Sequence, residues 1–228
     1  MSVFEKAYFE NSQCSFYREG YSYEMFRSHW EEKLPYLLRR ARPARSLDVG
    51  CAKGFLVDML RRNGVEAFGA DVSEYALDAA PQEVRPHLRR ANICEDRLPF
   101  PDNHFDLVTC LEVIEHLPDP APALKEITRV LASRGLAFFS TPSPDEEEEK
   151  LDKTHCSIFN FALWLDIFDK CGLKLRRIPA WRLAGNRGRL GSFPLPVRAT
   201  IRHVYYPLHN ALVREQNRHL FLEARKKP

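Results

Sequence analysis

The 228-residue chain has no run of eighteen apolar residues, so a membrane-crossing helix is not expected. Its opening stretch, Met1 to Tyr8, lacks the basic start and apolar body of a secretory leader, and soluble, cytoplasmic placement is the expectation. Six cysteines stand at 14, 51, 94, 110, 156 and 171 without a Cys-x-x-Cys pair. That spacing argues against a zinc ribbon and a disulfide framework, and reduced thiols are expected. The net charge of +3 is too small to imply nucleic acid by itself. Glycine is scarce, ten in all, and no Gly-x-Gly-x-x-Gly occurs. Counted from Gly50, the later places hold Ala52 and Phe55, which argues against a pyrophosphate in a dinucleotide-binding turn. A phosphate loop ending in Gly-Lys-Ser/Thr is missing too, because Lys53 precedes Gly54 and Phe55 follows it.

What is present is a strand, a glycine turn and a helix. Ser46 to Val49 form a short apolar run that suits a buried strand, and Phe55, Leu56, Met59 and Leu60 recur at helical spacing. Between them lies Asp48-Val-Gly50-Cys51-Ala52-Lys-Gly54, whose glycines let the backbone pass close to a ligand. About twenty residues on, Asp71 ends Phe68-Gly-Ala-Asp-Val72, a place suited to accepting hydrogen bonds from ribose hydroxyls.

This Asp-x-Gly-x-x-x-Gly pattern resembles motif I of the class I S-adenosylmethionine-dependent methyltransferases, with Ala52 where the family carries a middle glycine. The resemblance continues through Asn92-Ile93, through Leu-Pro-Phe-Pro-x-x-x-Phe-Asp (Leu98 to Asp106), and through Leu111-Glu-Val-Ile-Glu-His-Leu-Pro-Asp119, close to the type 11 methyltransferase group. It covers roughly residues 44 to 175, and motifs in one fixed order are more specific than a lone glycine loop. It implies an α/β Rossmann-like fold, with a seven-stranded, mostly parallel sheet and helices on both faces. It also implies S-adenosylmethionine as cofactor, held by Asp48, Gly50, Cys51, Ala52, Gly54, Asp71, Val72, Asn92, Ile93 and Leu111.

Residues 1–43 are rich in aromatics and read as helical from about Ser22 to Arg40, a cap over the cofactor to which Tyr17 or Tyr21 contributes; simple helix packing is the competing reading. Residues 44–228 form the methyltransferase domain. The sixth strand is expected at 173–179 and the seventh at Leu220 to Ala224, which leaves 181–219 as an insertion. That insertion holds seven arginines against Glu215 alone. It reads as a lid, a partner-binding helix that pairs two copies across a two-fold axis, a basic surface for an anionic acceptor, or a helix packed on the domain. The acidic run 145–149 reads as a solvated loop.

The expected activity is methyl transfer to a small molecule at a hydroxyl oxygen. Alternatives are RNA ribose or a glycan, motivated by the arginines, and a cofactor-binding domain without catalysis, motivated by Ala52. Base methylation of nucleic acid is disfavoured, because Asn/Asp-Pro-Pro-Tyr and a Pro-Cys nucleophile are missing. A base is needed where a hydroxyl must lose its proton. The candidates are Glu112 and His116, which would share a helical face with Glu115, and His155, which precedes the helix expected from Phe159 to Lys170. His155 also reads as a loop or capping residue. No metal is assigned, although Glu112, Glu115, His116 and His155 together resemble the divalent-metal site of small-RNA 2′-O-methyltransferases.

Overall fold

The computed structural model describes residues 4–10, 20–31, 33–144, 152–183 and 219–227. Tyr17, the acidic run 145–149 and nearly all of the 181–219 segment lie outside the described residues.

Alternation of strand and helix begins at β1 (Arg45–Val49), nearly all of it buried, and runs through α4 (Phe55–Arg62) to β2 (Glu66–Asp71). After α5 (Glu74–Asp78) come β3 (Leu88–Arg90), β4 (Phe105–Leu111), α6 (Ala121–Val130), β5 (Leu131–Pro142), α7 (Phe161–Lys170) and β6 (Leu173–Ile178). A four-residue helix, α8 (Ala180–Leu183), and β7 (His219–Lys226) complete the described set. The sheet has seven strands in the order β3-β2-β1-β4-β5-β7-β6. Only β7 runs antiparallel, paired with both β5 and β6. The expected sixth and seventh strands are both present, the seventh extending one residue earlier and two later than read from sequence.

Side chains alternate between the two faces, as the pleat requires. Val108, Phe139 and Leu222 join Trp164 and Phe168 in one buried cluster, whereas Leu107, Phe138 and Phe221 join Phe26, Trp30, Leu37 and Leu56 in another. The N-terminal helices α1 (Lys6–Glu10), α2 (Tyr23–Trp30) and α3 (Leu34–Ala41) precede the sheet. The single helix expected over Ser22 to Arg40 is thus two. Ser22 caps α2 by accepting the Met25 N–H at 3.3 Å, and Pro35 sits in the first turn of α3, where its missing N–H costs nothing but cannot continue a preceding helix. Glu223 of β7 ties α3 down, accepting from Tyr36 Oη at 2.5 Å and Arg40 Nε at 3.2 Å.

Strand order reverses at β1, which lies between β2 and β4, so the carboxyl ends of these strands frame a crevice.

Candidate active site

A cavity of about 1280 Å³ opens at this crevice. Its floor is the turn after β1. Gly50 has φ 73°, and a Cβ there would come within 2.2 Å of Val113 Cγ2. Ala52 also lies in the left-handed region, at φ 47°, where an L-residue pays a steric cost that glycine avoids. Its N–H donates to Asp71 Oδ2 at 2.7 Å, and Ser73 N–H donates to Asp71 Oδ1 at 2.8 Å. These amides, with that of Val72, fix the Asp71 carboxylate at the cavity edge. Burial raises the Asp71 pKa, opposed by these amides.

The wall continues through Val72, Arg90, Asn92 and Ile93, then through Leu111, Glu112 and His116. The roof is aromatic: Phe4, Tyr8, Phe9, Tyr21, Phe26 and Trp30 all face the same space. Glu10, at the end of α1, fastens this roof by pairing with the Tyr75 hydroxyl and, at 3.9 Å, with Lys53 Nζ.

Three expected cofactor residues do not line the cavity. Asp48 is buried below the turn and accepts the Thr109 hydroxyl at 2.7 Å, and burial pushes its pKa up to about 7. Cys51 packs where a Cβ on Gly69 would stand. Gly54 starts α4 at φ 71°, under Val84 and Leu88.

The helix expected over Glu112 to His116 is not formed. β4 pairing carries on to Glu112, whose N–H donates to Ser140 O at 3.0 Å, and Glu112 itself turns at φ 53°. A single 3-10 turn, Ile114 to His116, follows. The three side chains therefore do not share a helical face. Glu112 reaches His219 Nε2 at 2.7 Å. Glu115 is fully buried, and burial with the nearby Glu112 charge raises its pKa well above the carboxylate range, opposed by its own backbone N–H and by the Thr141 hydroxyl. His116 faces the cavity, where burial and His155 lower its pKa to about 4 and keep the imidazole neutral.

His155 does not line the cavity. Its side chain is 5% exposed and its ring lies against His116, centroids 4.7 Å apart and planes tilted by 60°. Donor atoms of Glu115, His116 and His155 all lie within 4.8 Å of one another. Glu112 is not in that group. Sequence reasoning passes over Asp152 and His219. The Asp-x-Thr spacing of 152 and 154 is a turn signature that was available, whereas nothing local pairs His219 with a residue more than a hundred positions away.

Residues 47–139 match a family model described as a methyltransferase domain. The matched stretch, about two fifths of the chain, contains the turn, the Asp71 strand end and the Glu112 to His116 segment. A ubiquinone biosynthesis O-methyltransferase of Alkalilimnicola ehrlichii is 39% identical over 102 residues, 42% of this chain and 41% of the relative. One of Methylococcus capsulatus is 37% identical over 101 residues, 42% and 43% of the two chains. The matched stretch thus spans about two fifths of the curated relatives' length. Among solved structures, a SAM-dependent methyltransferase of Archaeoglobus fulgidus superposes with a TM-score of 0.62 at 17% identity, covering 90% of this chain and 95% of that one. A Haemonchus contortus phosphoethanolamine N-methyltransferase 2, solved with S-adenosyl-L-methionine, gives 0.58 at 19% identity, covering 87% and 53%. At these identities the likeness carries the fold. No helix among the described residues is long and apolar enough to cross a membrane.

Proposed function

We propose that the chain is an S-adenosylmethionine-dependent methyltransferase that methylates a hydroxyl oxygen of a small molecule. The observation that carries this reading is the joining, in one cavity, of the Gly50 to Ala52 turn and Asp71 with the neutral imidazole of His116. The turn fits an adenosine ligand: Gly50 and Ala52 line the cavity beside the Asp71 carboxylate, which backbone amides hold in place. When bound, the cofactor supplies an electrophilic methyl group on a sulfonium. The protein holds the acceptor in line with that methyl, excludes water under the aromatic roof and accepts the hydroxyl proton on His116. Asp71, Val72, Asn92 and Ile93 belong to the adenosine side in this reading; Leu111, Glu112 and His116 belong to the reacting side. His155 backs His116.

A small-molecule acceptor, cytoplasmic placement and pairing of two copies through the 181–219 segment are parts of the same proposal. Incubation with methyl-labelled S-adenosylmethionine and a panel of phenols and catechols tests it. Labelled product that His116→Gln diminishes is expected; micromolar cofactor binding with no product from any hydroxylated acceptor would instead favour a non-catalytic domain. Binding that falls steeply with salt would move the acceptor to RNA or another polyanion.

A second reading is favoured by the buried Glu115 carboxyl beside two imidazoles. We propose that Glu115, His116 and His155 can hold a divalent cation, a mixed carboxylate and imidazole set suited to such ions. A cation there would acidify an acceptor hydroxyl. Undiminished turnover in chelator would remove this reading.

A further inference from the structure

Behind His116, Asp152 and Thr154 form a chain in which each donor and acceptor can be assigned. Thr154 Oγ1 lies 2.6 Å from Asp152 Oδ1, which also accepts the Thr154 N–H at 2.8 Å. A carboxylate only accepts, so the one hydroxyl proton of Thr154 points to Asp152. The same Thr154 oxygen is 2.9 Å from His116 Nδ1. With its proton already committed, the hydroxyl can only accept there, and Nδ1 must donate.

We infer that Asp152 and Thr154 are positioning residues that lock His116 in the Nδ1–H tautomer and leave the Nε2 lone pair available on the side away from Thr154. Asp152 suits this part: its side chain is 2% exposed, and the backbone turn that brings Thr154 N–H to its carboxylate also fixes the hydroxyl. The imidazole plane is fixed as well, by His155 at 4.7 Å and by the edge-on rings of Phe4 at 5.1 Å and Tyr8 at 6.2 Å between centroids. The assignment adds a specific requirement to the proposed function, since only an unprotonated Nε2 can take a proton or bind a cation while Nδ1 remains held. It depends on that proposal solely for its significance, and it can be tested without turnover.

The test is a long-range proton–nitrogen NMR spectrum of the full chain labelled with 15N-histidine, recorded at pH 8, with His116 assigned by the resonances lost in His116→Gln. Expected for the wild type is a protonated Nδ1 and an unprotonated Nε2. Thr154→Ser, which keeps the acceptor, should preserve that pattern. Thr154→Val, which has the same shape but keeps only the backbone acceptor of residue 154, should shift the proton measurably toward Nε2. A wild-type His116 carrying its proton on Nε2, or a Thr154→Val spectrum unchanged from wild type, overturns the inference. Should Thr154→Val fail to fold, the wild-type and Thr154→Ser spectra decide. A correct tautomer in a protein that methylates nothing would contradict the proposed function and leave this inference standing.

Discussion

His219 Nε2 lies 2.7 Å from Glu112 Oε2, joining the first residue of β7 to the residue that ends β4 pairing at the cavity wall. The two are 107 positions apart, and both side chains are only part-buried, at 27% and 36% exposure. A pair this exposed contributes little to stability. Glu112→Gln should therefore cost no more than about 1 kcal/mol in urea unfolding. A loss of several kcal/mol would mean that the pair bears on the fold far more than its exposure allows.

Ala52 offers a substitution that should do no harm. Its φ of 47° suits glycine, and the contact that matters there is the backbone N–H to Asp71. Ala52→Gly should leave the urea midpoint unchanged or raise stability by up to ~1 kcal/mol, strain relief being offset by a more flexible unfolded chain. Ala52→Val, β-branched at positive φ, should lower it by more than that.

Gly50 is the opposite case. A methyl group there meets Val113 Cγ2 at 2.2 Å on a backbone at φ 73°. Gly50→Ala should cost ~2 kcal/mol or more and abolish binding of S-adenosylhomocysteine. The double variant Gly50→Ala with Val113→Ala should recover part of the stability by removing the clash, but not all, because the dihedral penalty stays. Full recovery would place the whole cost in the clash.

Asp48 gives a pH dependence. Burial pushes its pKa up to about 7 from the ordinary 3.8, so folding takes up a proton between these values. Its contribution to stability is complete below about pH 4 and is lost as pH rises through 7. Asp48→Asn, which keeps an acceptor for the Thr109 hydroxyl, should match the wild type most closely at pH 4 and gain on it steadily up to pH 7, reaching on the order of 4 kcal/mol at pH 8. Equal differences at pH 4 and pH 8 would mean that Asp48 ionises normally.

Much of the fold was legible because its cues are local. The buried run into Val49, the glycine turn, Asp71 at a strand end and the Leu220 to Ala224 pattern all stand where periodicity and turn chemistry put them. One turn and the strand beside it bring Gly50, Ala52 and Asp71 to one cavity for the same reason, whereas Asp48, Cys51 and Gly54 of that segment do not line it. The reacting half was misread where local spacing competes with sheet pairing. Glu112 to His116 scans as a helix face, but Ser140 extends the β4 ladder onto Glu112 and only one 3-10 turn remains. The position of His155 after β5 suggests a place in the pocket, whereas the tilted ring contact with His116 that sets it one layer back depends on packing between distant segments.

The central claim, an adenosine site built on Gly50, Ala52 and Asp71, is tested most directly by calorimetric titration of S-adenosylhomocysteine into the wild type and Asp71→Asn. Micromolar binding is expected for the wild type, weakened about tenfold or more in the variant, a loss of at least ~1.4 kcal/mol. Absence of binding to the folded wild type, or equal affinity in the two proteins, would contradict it.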